Sequence, residues 1–347
     1  MDQSVNAATE GDAVRAPGTA VRAPGAAAGG LVAELVAVVV AVAAERPGVL
    51  TVDGGAEGGT IVPALPAGPL QAGERSLQAG LRSWVTSRTG RRLGYVEQLY
   101  TFADADRGLD DTIHRISISY LGLTTRGDGP GGRRGADGAT DAGTWAGIYD
   151  YLPWEDQRAG TRLVDEVVAP QLTHWVGAAR TETTRSERRQ RCDAAFGRGG
   201  RAWLPEGTLQ RYELLYEVGL LPESGADWRL PADDLVPGAR MIGDHRRILA
   251  TGLARLRAKI QYRPVVFELM APEFTLGELQ GCVEALAGQH LHKQNFRRLV
   301  EQQALVEETG SMSSGTGGRP AKTYRFRRSV LLERQAAGTK LPARSPR

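Results

Sequence analysis

Between Phe274 and Phe326 the chain runs FTLGELQGCVEALAGQHLHKQNFRRLVEQQALVEETGSMSSGTGGRPAKTYRF, a stretch that admits very few folds. Thr275 and Glu278 form a T-x-x-E capping box, in which hydroxyl and carboxylate satisfy the free amides of a helix start. Leu276, Leu279, Val283 and Leu286 recur at helical spacing and give that helix one apolar face. Gly288 is placed to end it, because glycine accepts the left-handed conformation that follows a helix C-terminus. A second helix is predicted from about His292 to Gln303, with Phe296, Leu299 and Val300 packing on the first. Lys293, Gln294, Asn295, Arg297 and Arg298 cover the rest of its surface. Leu305–Thr309 and Lys322–Phe326 read as strands, joined by the Gly-rich segment GSMSSGTGGRPA. Helix, turn, helix and cationic hairpin in this order predict a winged helix-turn-helix. A solvated basic helix beside an ordinary loop would leave that order unexplained.

The side chains fit the motif. Lys, Gln, Asn and Arg on one helix are the groups that read base edges and hold phosphates in a major groove, which makes Lys293, Gln294, Asn295, Arg297 and Arg298 the recognition candidates, with a local cap as the alternative for Asn295. Arg319 and Lys322 are the wing candidates, for phosphates or the minor groove. Charge distribution agrees. Of 43 Lys and Arg and 40 Asp and Glu, residues 241–347 hold 18 and 9, leaving 25 and 31 for residues 1–240. A basic C-terminal section beside an acidic body suits nucleic acid at that end.

The 347 residues allow two domains. Cys192 and Cys282 show neither a disulfide framework nor metal-ligand spacing, which fits a reducing cytoplasm, and Cys282 reads as a small buried apolar residue of the first winged-motif helix. No secretory signal is visible at the N-terminus. The one membrane-like run, Leu31–Ala44, contains Glu34 and is too short to span a bilayer. Its valines argue for a buried strand.

In chain order, residues 1–29 are rich in Ala, Gly and Pro and are expected to be disordered. Val32–Val42 and Val49–Val52 read as paired strands with ERPG in the turn, and Ile61–Leu65 as a third. Ser76–Ser87 reads as a helix, Gly94–Phe102 and Ile113–Leu123 as strands, and Arg126–Ala142 as a loop. From Glu155 to Trp228 the period is helical, with the charge run RSERRQR (Arg185–Arg191) on a solvated face. Asp244 then caps a long amphipathic helix through Ile248, Leu253 and Ile260. The expected fold class is an α/β (α+β sandwich) N-terminal domain followed by an α-rich winged helix-turn-helix. The expected boundaries are a tail over 1–29, an effector domain over 30–153, a helical insertion or linker over 154–238, a winged-helix domain over 239–330 and a basic tail over 331–347.

The segment GPLQAGERSLQAGLRSWVTSRTG resembles a Nudix box. Gly68, Glu74 and Arg82 stand at the family spacing, but Ser83, Thr86 and Ser87 occupy positions where the pattern has Glu, and the Gly90 end is displaced by one residue. Hydroxyls cannot supply the charge that hard divalent cations need, so metal-dependent hydrolysis is expected to be absent. With YVEQLYTFADADR (Tyr95–Arg107) and the Asp244–Phe326 tail, the chain resembles the Nudix-related transcriptional regulators that repress genes of NAD synthesis and salvage. That likeness covers residues 31–125 and about 240–326; the helical region 155–235 departs from it.

The resemblance implies a cytoplasmic homodimer without membrane association that reads a palindromic double-stranded operator. It further implies a Nudix-like domain that binds ADP-ribose or a related NAD-derived nucleotide as effector, with no required cofactor, no metal and no catalytic residues. Candidate effector contacts are Tyr100 and Phe102, for stacking, and Arg82 and Arg107, for a pyrophosphate. Core packing of the aromatics and a salt bridge of Arg82 with Glu74 are the structural alternatives, and Asp104 and Asp106 can serve as caps. Two other readings stand beside this one. A Nudix hydrolase of ADP-ribose-type substrates with an appended DNA-binding domain would need Glu97 or Asp104 to rebuild a metal site. A winged helix that binds protein instead of DNA would bind independently of salt.

Overall fold

The Val-rich run anticipated as a buried strand is the spine of the N-terminal domain. The computed structural model describes residues 30–57, 59–70, 73, 75–103, 113–126, 143–224, 235–262, 264–313, 320–327 and 329. The tails 1–29 and 331–347, residues 127–142 of the expected loop and residues 225–234 of the linker lie outside them, as do Glu74, Asp104, Asp106, Arg107 and Arg319.

Strand β1 (Gly30–Ala43) is followed by β2 (Arg46–Glu57), β3 (Thr60–Ala64), β4 (Ala67–Pro69), β5 (Val96–Phe102), β6 (Ile113–Leu123) and β7 (Thr144–Gly147). The sheet order is β3-β2-β1-β6-β5, with β4 on β1 and β7 on β2. β1 and β6 run parallel from Gly30↔Ile113 to Val40↔Leu123, and the other pairs are antiparallel. Successive residues of a strand point to opposite faces, and β1 is apolar on both. Leu35, Ala37 and Val39 join Leu81 and Val85 of helix α1 (Leu77–Thr89), whereas Val36, Val38 and Val40 join the main core.

The β1–β2 turn is tighter than expected. Ala44 and Glu45 form it, with φ of 47° and 58°, while Arg46 and Pro47 already pair with Ala43 and Val42. Positive φ at both central residues gives the twist that a two-residue hairpin needs. The expected ERPG turn is therefore displaced toward the N-terminus.

The next segment is helical, as its period predicts: α2 (Ile148–Tyr151), α3 (Ala169–Gly177), α4 (Glu182–Phe196) and α5 (Thr208–Glu217). The charge run on α4 is solvated and in part neutralised, because Arg185 pairs with Glu182 and Arg191 with Glu217, while Arg188 donates to the Trp175 carbonyl. Helix α6 (His245–Tyr262) closes the second face of the sheet. Gly252 lies so close to β1 that an added Cβ would stand 2.7 Å from Val38 Cγ1. This helix, anticipated as the start of the winged domain, is thus also a layer of the α/β sandwich.

The winged domain follows as β8 (Phe274–Thr275), α7 (Leu276–Ala287), α8 (Lys293–Gln302), β9 (Val306–Ser313) and β10 (Ala321–Phe326), with sheet order β8-β10-β9. Phe267 stacks on Phe326 at 4.3 Å and tilts against Phe274 at 5.7 Å, fixing the hairpin to the helices. Cys282 is buried in α7, and burial pushes its thiol up to about 12. No helix among the described residues is long and apolar enough to cross a membrane.

Candidate nucleic-acid interface and effector cleft

The reading head is assembled by local chemistry. Thr275 Oγ1 accepts the Glu278 amide at 3.1 Å and the Glu278 carboxylate accepts the Thr275 amide at 2.7 Å, completing the capping box. Gly288 ends α7 at φ 69°, donating its amide to the Glu284 carbonyl. Glu284 also accepts the Leu291 amide at 2.9 Å and a Gln280 amide hydrogen at 2.7 Å, which fixes the turn into α8.

Phe296 and Val300 anchor α8 in the core, and Lys293, Gln294, Asn295, Arg297 and Arg298 are all exposed. None of the five side chains makes a hydrogen bond or ion pair among the described residues, so three cations stand uncompensated on one short helix. Leu299 was expected to pack on α7. It is instead 51% exposed, at the rim of an apolar groove shared with Phe296, Leu279 and Phe267. One step from Val300 along a helix is a 100° rotation, enough to carry Leu299 off the buried stripe.

On the wing, Lys322 lies across the hairpin from Glu308 and donates to both carboxylate oxygens, at 2.9 and 3.0 Å, while Arg325 pairs with Glu307 at 2.7 Å. Lys322 is exposed but would have to exchange Glu308 for a phosphate. Arg319 lies outside the described residues.

The effector candidates separate. Arg82 is committed to the backbone, donating to the carbonyls of Leu93 and Gly94, and so braces the entry to β5. Tyr100 is 62% exposed and meets Phe102 edge-on at 5.2 Å. Phe102 is buried, with the Arg247 guanidinium 5.0 Å from its ring centre.

Phe102 forms one wall of a cleft of about 310 Å³ on the α6 side of the sheet, between β1, β2, β6 and the segment Ile242–His245. Of the predicted effector contacts only Phe102 lines this cleft, and residue-type reasoning along the chain missed its polar lining. Its signal was Glu34, a carboxylate inside a valine run, since a buried charge demands a partner. Glu34 accepts from Arg115 at 2.8 Å and from Ser117 at 2.7 Å. His245 Nδ1 accepts the Leu65 amide at 2.9 Å, and burial pushes the imidazole down to about 4 against the pull of Glu34. It is therefore neutral, with its proton on Nε2. Asp53 and Asp244 add further acceptors to the lining. The cleft thus suits hydroxyl and amino donors beside an aromatic wall.

The two sites are mechanically connected. Glu155 is fully buried between two arginines: Arg211 donates from Nε at 2.6 Å, and Arg257 of α6 pairs with the other oxygen. Arg257 also donates to the Leu286 carbonyl at the end of α7 at 2.8 Å, and Tyr149 donates to the Ala285 carbonyl at 2.6 Å. The insertion, α6 and the reading head meet at this one buried cluster. The paired guanidiniums hold the Glu155 carboxyl below its usual range despite its burial.

Residues 266–326 match the family model of the NrtR DNA-binding winged helix domain. The ADPR responsive transcriptional repressor NtrR of Acinetobacter baylyi is 43% identical over 83 residues, 24% of this chain and 33% of that protein. The chain thus spans about a third of the length of that curated relative. In fold, the chain is similar to the crystal structure of Shewanella oneidensis NrtR complexed with a 27mer DNA, at TM-score 0.52 and 17% identity over 86% of this chain and 95% of that one. A second structure of Shewanella oneidensis NrtR gives TM-score 0.51 and 18% identity over 85% and 94%. The family match falls within the 240–326 segment of the resemblance, and for the rest of the chain the solved structures agree in fold.

Proposed function

We propose that this chain, whose residues 266–326 belong to the NrtR DNA-binding winged helix family, is a nucleotide-responsive transcriptional repressor. The observation that carries this reading is the free cationic surface of α8, set on a capped helix-turn-helix. In the proposal, two chains pair so that two copies of α8 enter successive major grooves of a palindromic operator, as two-fold helix-turn-helix readers do. Lys293, Gln294, Asn295, Arg297 and Arg298 read bases and phosphates, and the wing, with Arg319 and Lys322, follows the backbone. The regulated genes are those of NAD metabolism, by resemblance.

The effector is a nucleotide of the ADP-ribose class, in keeping with the name of the Acinetobacter baylyi relative. The cleft beside Phe102 is its site, with the ring against the base and the carboxylates taking ribose hydroxyls. Effector binding at Ile242–His245 acts on the N-terminus of α6, whose Arg257 holds the reading head near the other end. An effector that fits one placement of α6 better than the other shifts DNA affinity by that difference.

Hydrolysis is not part of the proposal. The hydroxyl of Thr86 donates to the Arg91 carbonyl and that of Ser87 to the Trp84 carbonyl, where carboxylates would hold metal. Glu97, one of the two candidate replacements named from the sequence, is engaged by Tyr95 at 2.6 Å and Lys259 at 2.8 Å. The test is titration of the full chain against DNA from upstream of its own gene and against scrambled duplex, at two salt concentrations. Preference for the native sequence, with affinity falling steeply in salt, supports the reading. Equal affinity for both duplexes removes it, and magnesium-dependent release of AMP from ADP-ribose would restore the hydrolase.

A further inference from the structure

On the α1 face of the sheet, opposite the cleft, two arginines share one tryptophan. The Arg91 guanidinium lies 5.1 Å and that of Arg126 5.9 Å from the centre of the Trp145 ring. Neither side chain has a carboxylate partner or hydrogen-bond acceptor among the described residues, in contrast to Arg185 and Arg191 of α4, which pair with Glu182 and Glu217. Arg92, next along, is exposed and likewise unpaired.

The segment that carries them is fixed in place. Gly90 turns the chain at φ 67° after α1, Thr86 Oγ1 donates to the Arg91 carbonyl at 3.2 Å, and Thr124 Oγ1 donates to the Arg92 carbonyl at 3.1 Å. Trp145 is held by β7, in register with Leu50 of β2. The turn that carries Arg91 and Arg92 is thus held in place, and the positive charges have no counterion among the described residues. Burial and the charge of Arg126 both lower the proton affinity of Arg91, the signature of an uncompensated cation.

From this geometry we infer that Arg91 and Arg126, set against Trp145, form a phosphate-binding site. Paired guanidinium forks match phosphate oxygens, which are acceptors only and carry the charge that the site lacks. The position gives the site a chemical logic. Thr86 stands where a Nudix enzyme has a metal-binding carboxylate, and its hydroxyl here fixes the arginine-bearing turn. The site is separate from the cleft and does not rest on the effector reading.

Isothermal titration of the full chain with orthophosphate, pyrophosphate and ADP, in EDTA at low salt, tests the inference. Wild type is expected to bind at least one probe, and the Arg91→Ala/Arg126→Ala double variant to weaken that binding tenfold or more. Arg91→Lys/Arg126→Lys should recover part of it, which separates lost charge from lost folding. Binding of the two inorganic ions as tight as that of ADP assigns a free-phosphate site. Tighter binding of ADP assigns a nucleotide diphosphate. Absence of binding by all three probes, or full affinity in the double alanine variant, overturns the inference.

Discussion

At the smallest scale the proposed interface is tested at Arg297. It is exposed on α8, has no partner among the described residues, and lies one position from the Phe296 anchor that fixes the helix. If it reads a base edge, Arg297→Ala should cost about 1–3 kcal/mol of specific binding and relax the preference at one operator position. Equal loss on every duplex would reassign it to a phosphate. His245 gives a second residue-scale prediction, this time in stability. Its imidazole titrates at about 4 in the fold and near about 6.5 in an unfolded chain. The unfolded chain therefore takes up the proton first as pH falls. Stability associated with His245 is fully present above 6.5 and is lost progressively as pH falls through 4. His245→Asn keeps an acceptor for the Leu65 amide but cannot titrate. Denaturant melts of the two proteins should therefore converge toward low pH, removing about 3 kcal/mol of acid dependence in that window. Parallel pH profiles would show that His245 does not titrate there. At this scale the sequence was legible only where partners are close in the chain. The capping pair Thr275 and Glu278 could be read directly. The commitment of Arg82 to the Leu93 and Gly94 carbonyls and of Lys322 to Glu308 depends on tertiary placement, and no local pattern announces it.

Among the elements, α6 does most to join the domains. Its apolar period predicts a helix, and nothing in that period says that Gly252 must lie against Val38. Helix propensity alone predicts that Gly252→Ala stabilises the protein, by about 1 kcal/mol. Packing predicts the reverse, because the new methyl would stand 2.7 Å from the Cγ1 of a β-branched side chain that cannot swing away. Overpacking of this kind costs about 1–3 kcal/mol, so a chemical melt should show net destabilisation. A stabilised variant would mean that α6 can lift off the sheet without loss. The winged domain was the most legible element, since a capping box, a glycine stop and a 3.6-residue period act within a few residues of one another. The cleft was the least legible. It is built from β1, β2, β6 and the start of α6, and only Phe102, named as a stacking candidate, and Glu34 in its apolar run hinted at it.

For the molecule as a whole, the buried Glu155 cluster decides whether the domains move as one. Glu155 and its partners Arg211 and Arg257 are separated by 56 and 102 residues, a pairing that the helical pattern of the insertion could not disclose. Removing the carboxylate by Glu155→Ala leaves two buried guanidiniums facing each other, a loss of about 3–5 kcal/mol. It should also loosen the contact of Arg257 with the Leu286 carbonyl. Hydrogen exchange is therefore expected to rise at α6 and at the end of α7 together; a rise confined to the insertion would contradict the shared cluster. The central claim is that a nucleotide in the α/β domain changes DNA binding by the winged domain. Fluorescence anisotropy of the full chain on its own upstream DNA, with and without ADP-ribose and with NAD as comparison, tests it most directly. The account predicts sequence-dependent binding whose midpoint shifts at least fivefold with ADP-ribose, the low end of ordinary allosteric coupling. Titration curves that superimpose with and without either nucleotide would contradict it.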